Sequence, residues 1–227
     1  MDRTREGLGY GIGAYALWGL FPLFWPLLEP AAPLEVLAHR VLWSLVLMAL
    51  LLRVTRGWAA VRAVTPDQVR RLAVASVLLA CNWGLYIYGV NSGQVVETSL
   101  GYFINPLVSV ALGVLVLGER LRPVQQLAIG FAVAAVAVLT VDNGRPPWIA
   151  LGLAFSFGTY GLLKKQANVG ALASLSIETA VTGPIAALYL LGLAAAGTGT
   201  FTGHGPDHAL LLLSSGVVTA VPLLLFG

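Results

Sequence analysis

The chain has 227 residues, of which 58% are hydrophobic and 10% are charged, and its formal net charge is +3. A soluble domain carries about 25% charged residues, and this chain has too little polar surface to cover the exterior of a soluble fold. The composition therefore excludes soluble and disordered classes and indicates a membrane protein. The single cysteine, Cys81, excludes a disulfide framework and a thiolate metal cluster.

Eight apolar segments follow one another along the chain, and a helix of about 20 residues crosses the bilayer core. We expect helices, because backbone polar groups in lipid must be bonded internally and the alternation of a barrel strand is absent. The first segment resembles a signal peptide but is longer than the apolar region of one and lacks a convincing cleavage site, so we interpret it as an uncleaved helix. The predicted spans are Leu8–Leu28, Glu35–Leu52, Leu72–Val90, Thr98–Leu117, Val124–Val141, Trp148–Leu163, Leu175–Ala195 and Ala209–Phe226.

The basic residues predict the orientation of these spans. Eleven of the 13 Lys and Arg residues lie in the N-terminal segment and in every second loop, whereas Arg145 alone lies in the other loops. The remaining one, Arg40, lies inside a predicted span. Because cytoplasmic loops are enriched in Lys and Arg, we expect a multi-pass membrane protein with a cytoplasmic N-terminus.

The two halves of the chain share a weak repeat. Glu35 lies 16 residues after Gly19, Glu178 lies 17 residues after Gly161, and an aromatic residue precedes each glycine. The second copy begins after five spans, an odd number, so it would be inverted in the membrane. The pattern predicts an inverted repeat.

Five segments carry a more specific pattern, of which Ser99–Leu107 is the most distinctive. They are Glu35–Ser44, Asn82–Tyr86, Ser99–Leu107, Gly118–Leu121 and Ser156–Leu162. Together they resemble the RarD family, which belongs to the EamA branch of the drug/metabolite transporter superfamily.

This resemblance implies an all-α integral membrane protein with ten helices, of which eight are present. The helices would form two inverted five-helix repeats around a central cavity used for alternating access, with residues 1–142 as the first repeat and residues 148–227 as the second, incomplete one. The last span reaches Gly227 without a polar flank, so we expect the reading frame to continue for about two more spans.

His39 and Arg40 are ionisable residues inside the second predicted span. Such residues are costly in a bilayer and mark a solute pathway or a structural pair. Arg40 either faces the cavity and holds an anionic group or extends outward to the headgroups. Trp43 and Ser44 continue a polar face at helical spacing, which favours the cavity. Arg40 and Trp43 are therefore substrate-binding candidates, and His39 is a candidate for proton coupling or gating.

Glu97, Gly101 and Asn105 recur every four residues and share one helix face. Glu97, a second candidate for coupling or gating, either complements the helix dipole or pairs with Arg40. Asn105 is a cavity candidate. Pro106 follows it and removes an intrahelical hydrogen bond, which produces either a kink or a ligand contact.

Asn82 and Tyr86 lie four residues apart on the third predicted span, with Trp83 beside them. They either line the cavity or, in the case of Asn82, hold two helices together. Tyr102 and Tyr160, from the segments that carry the resemblance, complete the cavity candidates.

Glu178 is the third coupling or gating candidate; its alternative role is to complement the dipole at the start of its helix. His204 and His208 lie four residues apart in a glycine-rich loop, where we predict no metal. The sequence contains no zinc-protease, nucleophile-elbow or phosphate-loop motif. We therefore expect no catalytic residues and no cofactor.

The resemblance, with weaker support from the polar residues inside the spans, implies a secondary transporter of small organic solutes in the bacterial cell membrane, an exporter that is a candidate for proton coupling. The expected partners are a small-molecule substrate and the lipid bilayer, without nucleic acid, and a homodimer is left open. The alternatives are a non-transporting membrane-embedded subunit and an intramembrane enzyme.

Overall fold

The computed structural model describes residues 3–118 and 120–226, which form ten α-helices and one 3₁₀ turn. None of these residues lies in a strand, so the all-α prediction is confirmed. The helices are α1 (Arg3–Gly19), α2 (Phe21–Phe24), α3 (Pro33–Val54), α4 (Trp58–Arg62), α5 (Pro66–Asn91), α6 (Val95–Leu117), α7 (Pro123–Asn143), α8 (Trp148–Ala167), α9 (Ala171–Ala195) and α10 (Gly205–Phe226), and the 3₁₀ turn is Trp25–Leu28.

Six helices in the described part of the chain are long and apolar enough to cross a membrane: α3, α5, α6, α7, α9 and α10. The prediction of a multi-pass membrane protein is therefore confirmed, but the predicted count of eight spans is not. Helix α8 coincides with the sixth predicted span and is not among the six; it carries Lys164 and Lys165 in its last turn.

The first predicted span, Leu8–Leu28, is not one continuous helix. Helix α1 ends at Gly19, and the short helix α2 and the 3₁₀ turn follow. Both short elements have a proline in their first turn. Proline lacks a backbone N–H and clashes with the preceding turn, so it starts a helix readily and interrupts one. The break directs Trp25 and Phe21 toward α3, as described below.

The helices form two compact units. The first unit comprises Met1–Ala73 and Asn168–Gly227. Within it, α3 packs against both α9 and α10, and α1 packs against α10. Helices α3 and α10 approach closely at Gly216, where a Cβ atom would collide with Trp43 and lie 2.7 Å from the backbone nitrogen of Ser44.

The second unit comprises Val74–Ala167, and its main contact is between α6 and α8. A small residue again permits the approach: a Cβ atom on Gly101 would lie 2.9 Å from the carbonyl oxygen of Ala150. Ile104, Ala150 and Ala154 form a buried core beside this contact. Helix α7 packs on α6 and leaves large apolar side chains such as Phe131 exposed, as a lipid-facing helix does.

The compact units do not follow the boundary of the predicted repeats. Each unit combines helices from residues 1–142 with helices from residues 148–227. The repeats themselves stay a prediction.

Candidate functional site

Arg40 lies within the first unit and is only 9% exposed. Its Nε donates a hydrogen bond of 2.9 Å to Oγ1 of Thr219 on α10. The guanidinium carbon lies 4.5 Å from the ring centroid of Trp25 and 5.8 Å from that of Phe21. A cation over an aromatic face gains more when water is excluded. The broken first span therefore supplies the aromatic surroundings of this buried charge.

His39 and Trp43 lie beside Arg40 and are connected to the loop before α10. The indole Nε1 of Trp43 donates to Nδ1 of His39 over 3.1 Å. The Phe201 ring stacks on both side chains, with centroid distances of 5.0 Å to His39 and 5.9 Å to Trp43. Because an indole N–H can only donate, Nδ1 must be the acceptor, so His39 is neutral and carries its proton on Nε2. That Nε2 is buried and has no hydrogen-bond partner among the described residues.

Glu35, in the first turn of α3, holds the same loop. The carboxylate is 2% exposed, and its Oε1 accepts from the backbone N–H of Thr200 at 2.6 Å and from its hydroxyl at 3.1 Å. The Thr200 hydroxyl oxygen lies 2.9 Å from Nε2 of His208. His204 lies exposed beside His208, with the ring centroids 5.5 Å apart. The three histidines of the chain, which are His39, His204 and His208, therefore all lie in or beside the loop before α10.

Asn82 organises the second unit. It is fully buried, and its Nδ2 donates to the carbonyl oxygen of Leu153 at 2.9 Å and to Oγ of Ser156 at 2.8 Å. Its Oδ1 accepts from the Tyr102 hydroxyl at 3.4 Å, and the rings of Tyr102 and Tyr86 meet edge to face. The structure thus joins three predicted cavity residues and gives Asn82 the interhelical role that was its alternative.

Glu97, in the first turn of α6, holds the start of α8. Its Oε1 accepts from the backbone N–H of Ile149 at 2.8 Å, and its Oε2 lies 3.1 Å from Arg145. Arg145 also donates to the side chain of Gln94 at 2.7 Å. Glu97 forms an ion pair with Arg145, a partner that the sequence analysis did not consider. The predicted pair of Glu97 with Arg40 stays a prediction.

The other predicted residues are buried or half-buried in separate places. Glu178 is buried on α9, and its Oε1 accepts from Ser174 at 2.6 Å. Tyr160 is buried on α8, with the ammonium of Lys164 5.4 Å from its ring centroid. Asn105 is buried on α6, where its Oδ1 lies 3.5 Å from the hydroxyl of Ser109, and Trp83 is half-buried on α5.

The predicted site residues are divided between the two units. The first unit holds His39, Arg40, Trp43 and Glu178, and the second holds Asn82, Trp83, Tyr86, Glu97, Tyr102, Asn105 and Tyr160. A single cavity lined by all of them stays a prediction. Over the residues that the structure describes, no group of three His, Cys, Asp or Glu side chains could hold a metal ion.

Sequence reasoning missed several residues of these sites. Glu35 served only to mark the repeat, although its place in the first turn of a membrane helix was a usable signal. Thr200 and Phe201 lie in a polar, glycine-rich loop, where helical periodicity gives no information. Arg145 entered only the count of basic residues, and Thr219 carried no signal.

Comparison with known proteins assigns this helical architecture to a class. Residues 5–141 match the EamA-like transporter family, and the chain belongs to that family. No solved structure matches the chain.

The most informative relatives carry transporter or RarD names. The chain is 56% identical to Protein RarD of Streptomyces exfoliatus over 228 residues, covering 100% of the chain and 72% of that relative. It is 42% identical to Protein RarD of Escherichia coli over 226 residues, which cover 99% of the chain and 76% of the relative. The Uncharacterized transporter YojE of Bacillus subtilis is 43% identical over 236 residues, which cover 99% of the chain and 76% of that relative. The predicted resemblance to the RarD family is confirmed, and the family is one of membrane transporters.

Proposed function

We propose that the chain carries small organic solutes across the bacterial cell membrane as a secondary transporter that works by alternating access. It exports the solute, and the proton is the coupling ion. The orientation follows the basic residues, so the N-terminus is cytoplasmic. The protein acts on a small molecule within the lipid bilayer, and a homodimer is compatible with this function.

Arg40 is the observation that carries the proposal. It is a buried cation, the eighth residue of a 22-residue helix that is long and apolar enough to span the membrane. A charge inside a bilayer costs free energy, so it marks a solute pathway or a structural pair. A guanidinium presents its donors in one plane that matches a carboxylate or phosphate. Trp25, Phe21 and Trp43 add flat apolar surfaces nearby. The solute is accordingly an anionic or amphiphilic metabolite, of which an amino-acid-like molecule is the simplest example.

The packing of the helices supports the repeat on which alternating access depends. In the first unit α1 packs against α10, which correspond to predicted helices 1 and 8. In the second unit Asn82 joins α5 to α8, which correspond to predicted helices 3 and 6. In the predicted repeat, helix 6 is the counterpart of helix 1 and helix 8 is the counterpart of helix 3, so the two contacts correspond to each other. Residues 1–142 and 148–227 as inverted repeats would produce this pattern.

Transport by reconstituted protein tests the proposal. We expect proteoliposomes loaded from a metabolite library to release at least one anionic or amphiphilic solute when a pH gradient is imposed. Arg40→Ala should lower that flux about tenfold or more, because a charge-assisted hydrogen bond contributes about 1.5–3 kcal/mol. Arg53→Ala is the matched control, since Arg53 lies on the same helix with an exposed side chain.

Two results would overturn the proposal. Wild-type flux with a correctly folded Arg40→Ala protein would remove Arg40 from the solute site. An intact wild-type protein that moves no solute would favour the alternative of a non-transporting subunit or an intramembrane enzyme.

The orientation has its own test. In a Cys81→Ser background, cysteines at Ser92 and Thr202 should react with an impermeant maleimide added outside intact cells, whereas one at Ala59 should not. All three positions are exposed. Labelling of the Ala59 position from outside, with the other two protected, would reverse the orientation.

A further inference from the structure

We propose that Glu35 is the carboxylate that binds the coupling proton, and that His208 and Thr200 deliver the proton to it. The inference rests on the proposed function of a proton-coupled transporter. It moves the proton site from the sequence-derived candidates His39, Glu97 and Glu178 to Glu35, to which sequence reasoning had assigned no role in coupling.

The hydrogen bonds around Thr200 have a defined direction. The carboxylate of Glu35 can only accept when it is ionised, so the Thr200 hydroxyl donates to it. That hydroxyl has one proton, so its oxygen must accept from His208, whose Nε2 therefore carries a hydrogen. The result is a hydrogen-bonded path in which His208 donates to Thr200 and Thr200 donates to Glu35. All three residues are buried, whereas His204, next to His208, is exposed.

This arrangement can transfer one proton, and every hydrogen involved has a defined donor and acceptor. A proton from water binds Nδ1 of His208 and makes it an imidazolium; the exposed His204 ring, whose centroid lies 5.5 Å from that of His208, is on the water side of this path. The imidazolium gives its Nε2 proton to the Thr200 oxygen, while the Thr200 hydroxyl proton passes to Oε1 of Glu35. Afterwards Glu35 is a neutral carboxylic acid, Thr200 is again a hydroxyl, and His208 is neutral with its proton on Nδ1.

Other titratable and charged groups lie on the elements that adjoin this hydrogen-bonded path. Helix α3 contributes His39 and Arg40, and the first turn of α10 contributes the exposed Asp207. The end of the 3₁₀ turn contributes the exposed Glu29. The carboxylate on α9 is Glu178. It lies 17 residues before the last residue of that helix, and therefore about 25 Å along the helix from the end that leads into the Thr200 loop.

Protonation of Glu35 would release the loop. An ionised carboxylate forms hydrogen bonds about twice as strong as a neutral acceptor does, so neutral Glu35 holds the Thr200 amide and hydroxyl less firmly. Phe201 follows Thr200 directly and covers His39 and Trp43. Loosening this loop uncovers the side chains that adjoin Arg40. Proton binding at Glu35 and solute access to Arg40 are thereby connected through Phe201.

Infrared difference spectroscopy of the full chain in nanodiscs, without any solute, tests the proton site. Acidification should produce the carbonyl stretch of a protonated, buried carboxylic acid. Glu35→Gln should remove that component. Glu97→Gln is the matched control and should leave it in place, because Glu97 is held by the permanently charged Arg145.

A second pair of variants tests the path and does not depend on the folding of Glu35→Gln. After a rapid drop in pH, the band should grow more slowly in Thr200→Val by about two orders of magnitude, the lower end of what a positioned proton-transfer group contributes. Thr200→Ser keeps the hydroxyl and should restore the wild-type rate.

Persistence of the band in Glu35→Gln, or a wild-type rate in Thr200→Val, would overturn the inference. Since no solute is present, these results are independent of the transport assay. A protein that binds the proton at Glu35 but moves no solute would contradict the proposed function alone, and solute flux with no band at Glu35 would contradict this inference alone.

Discussion

The two units hold their helix ends with the same residue type but with different partners. In each unit a glutamate in the first turn of a membrane helix accepts a backbone N–H from the segment that leads into another helix: Glu35 from Thr200, and Glu97 from Ile149. Beyond the first carboxylate lies an imidazole, because the Thr200 hydroxyl that it binds is 2.9 Å from Nε2 of His208. The second carboxylate pairs with the guanidinium of Arg145. The same residue type at a helix start is therefore connected to an imidazole in one unit and to a guanidinium in the other.

The units also share a way of bringing helices together. Gly216 permits contact between α10 and α3 in the first unit, and Gly101 permits contact between α6 and α8 in the second. In both cases a Cβ atom would meet backbone atoms, which cannot rotate away. The difference between the units thus lies in their polar ends, while the packing rule is common to both.

The largest expected effect tests that shared packing. We expect Gly216→Ala and Gly101→Ala each to destabilise the protein by about 1–3 kcal/mol, because the added methyl overpacks a tight contact. Unfolding in detergent mixtures, followed by tryptophan fluorescence, measures the change. Gly161→Ala is the control, since a Cβ there meets nothing within 4 Å, and it should be neutral or stabilising by up to about 1 kcal/mol. Wild-type stability of Gly216→Ala would refute the close approach of α3 and α10.

A comparable effect at Glu35 and a smaller one at Glu97 distinguish the two carboxylates that hold helix ends. Glu35→Ala leaves the buried Thr200 amide without its acceptor, which should cost about 1–3 kcal/mol. Glu97→Ala removes the acceptor of the Ile149 N–H at a helix start, and the loss of a cap typically costs about 1 kcal/mol. The same unfolding measurement compares them. Equal losses would contradict the difference in burial between Glu35, which is 2% exposed, and Glu97, whose side chain is 15% exposed.

The smallest effect concerns the ion pair of the second unit. The Arg145 side chain is 47% exposed, so Arg145→Ala should cost only about 0.2–1 kcal/mol. That cost should shrink further at high salt, which screens exposed charges. Unfolding at low and high salt is the measurement. A large loss that salt leaves unchanged would show that Arg145 acts as a buried charge.

The helices of this fold were largely predictable from the sequence, because apolar length and helical period are local properties. The predicted span Thr98–Leu117 ends where α6 ends, since Gly118 there adopts a φ of 68° and terminates the helix. The prediction of the first span as one helix was wrong, because a count of apolar residues does not register the prolines and Gly19, which interrupt the helix.

The site was predictable only in part. Arg40 and Asn82 stood out because polar residues are rare in membrane helices. Their partners did not: Thr219 is an ordinary residue 179 positions away from Arg40, and Thr200 lies in a loop 165 positions from Glu35. No local period connects such pairs, so only the packing of the helices reveals them.

Water access to the Arg40 environment tests the transporter account most directly. A single cysteine at Thr219, in a Cys81→Ser protein that still transports, should react with a small impermeant thiol reagent applied from either side of the membrane. The solute identified by the transport assay should slow both reactions, because it binds beside this position. Reaction from neither side, or from one side only under every condition, would contradict alternating access at Arg40.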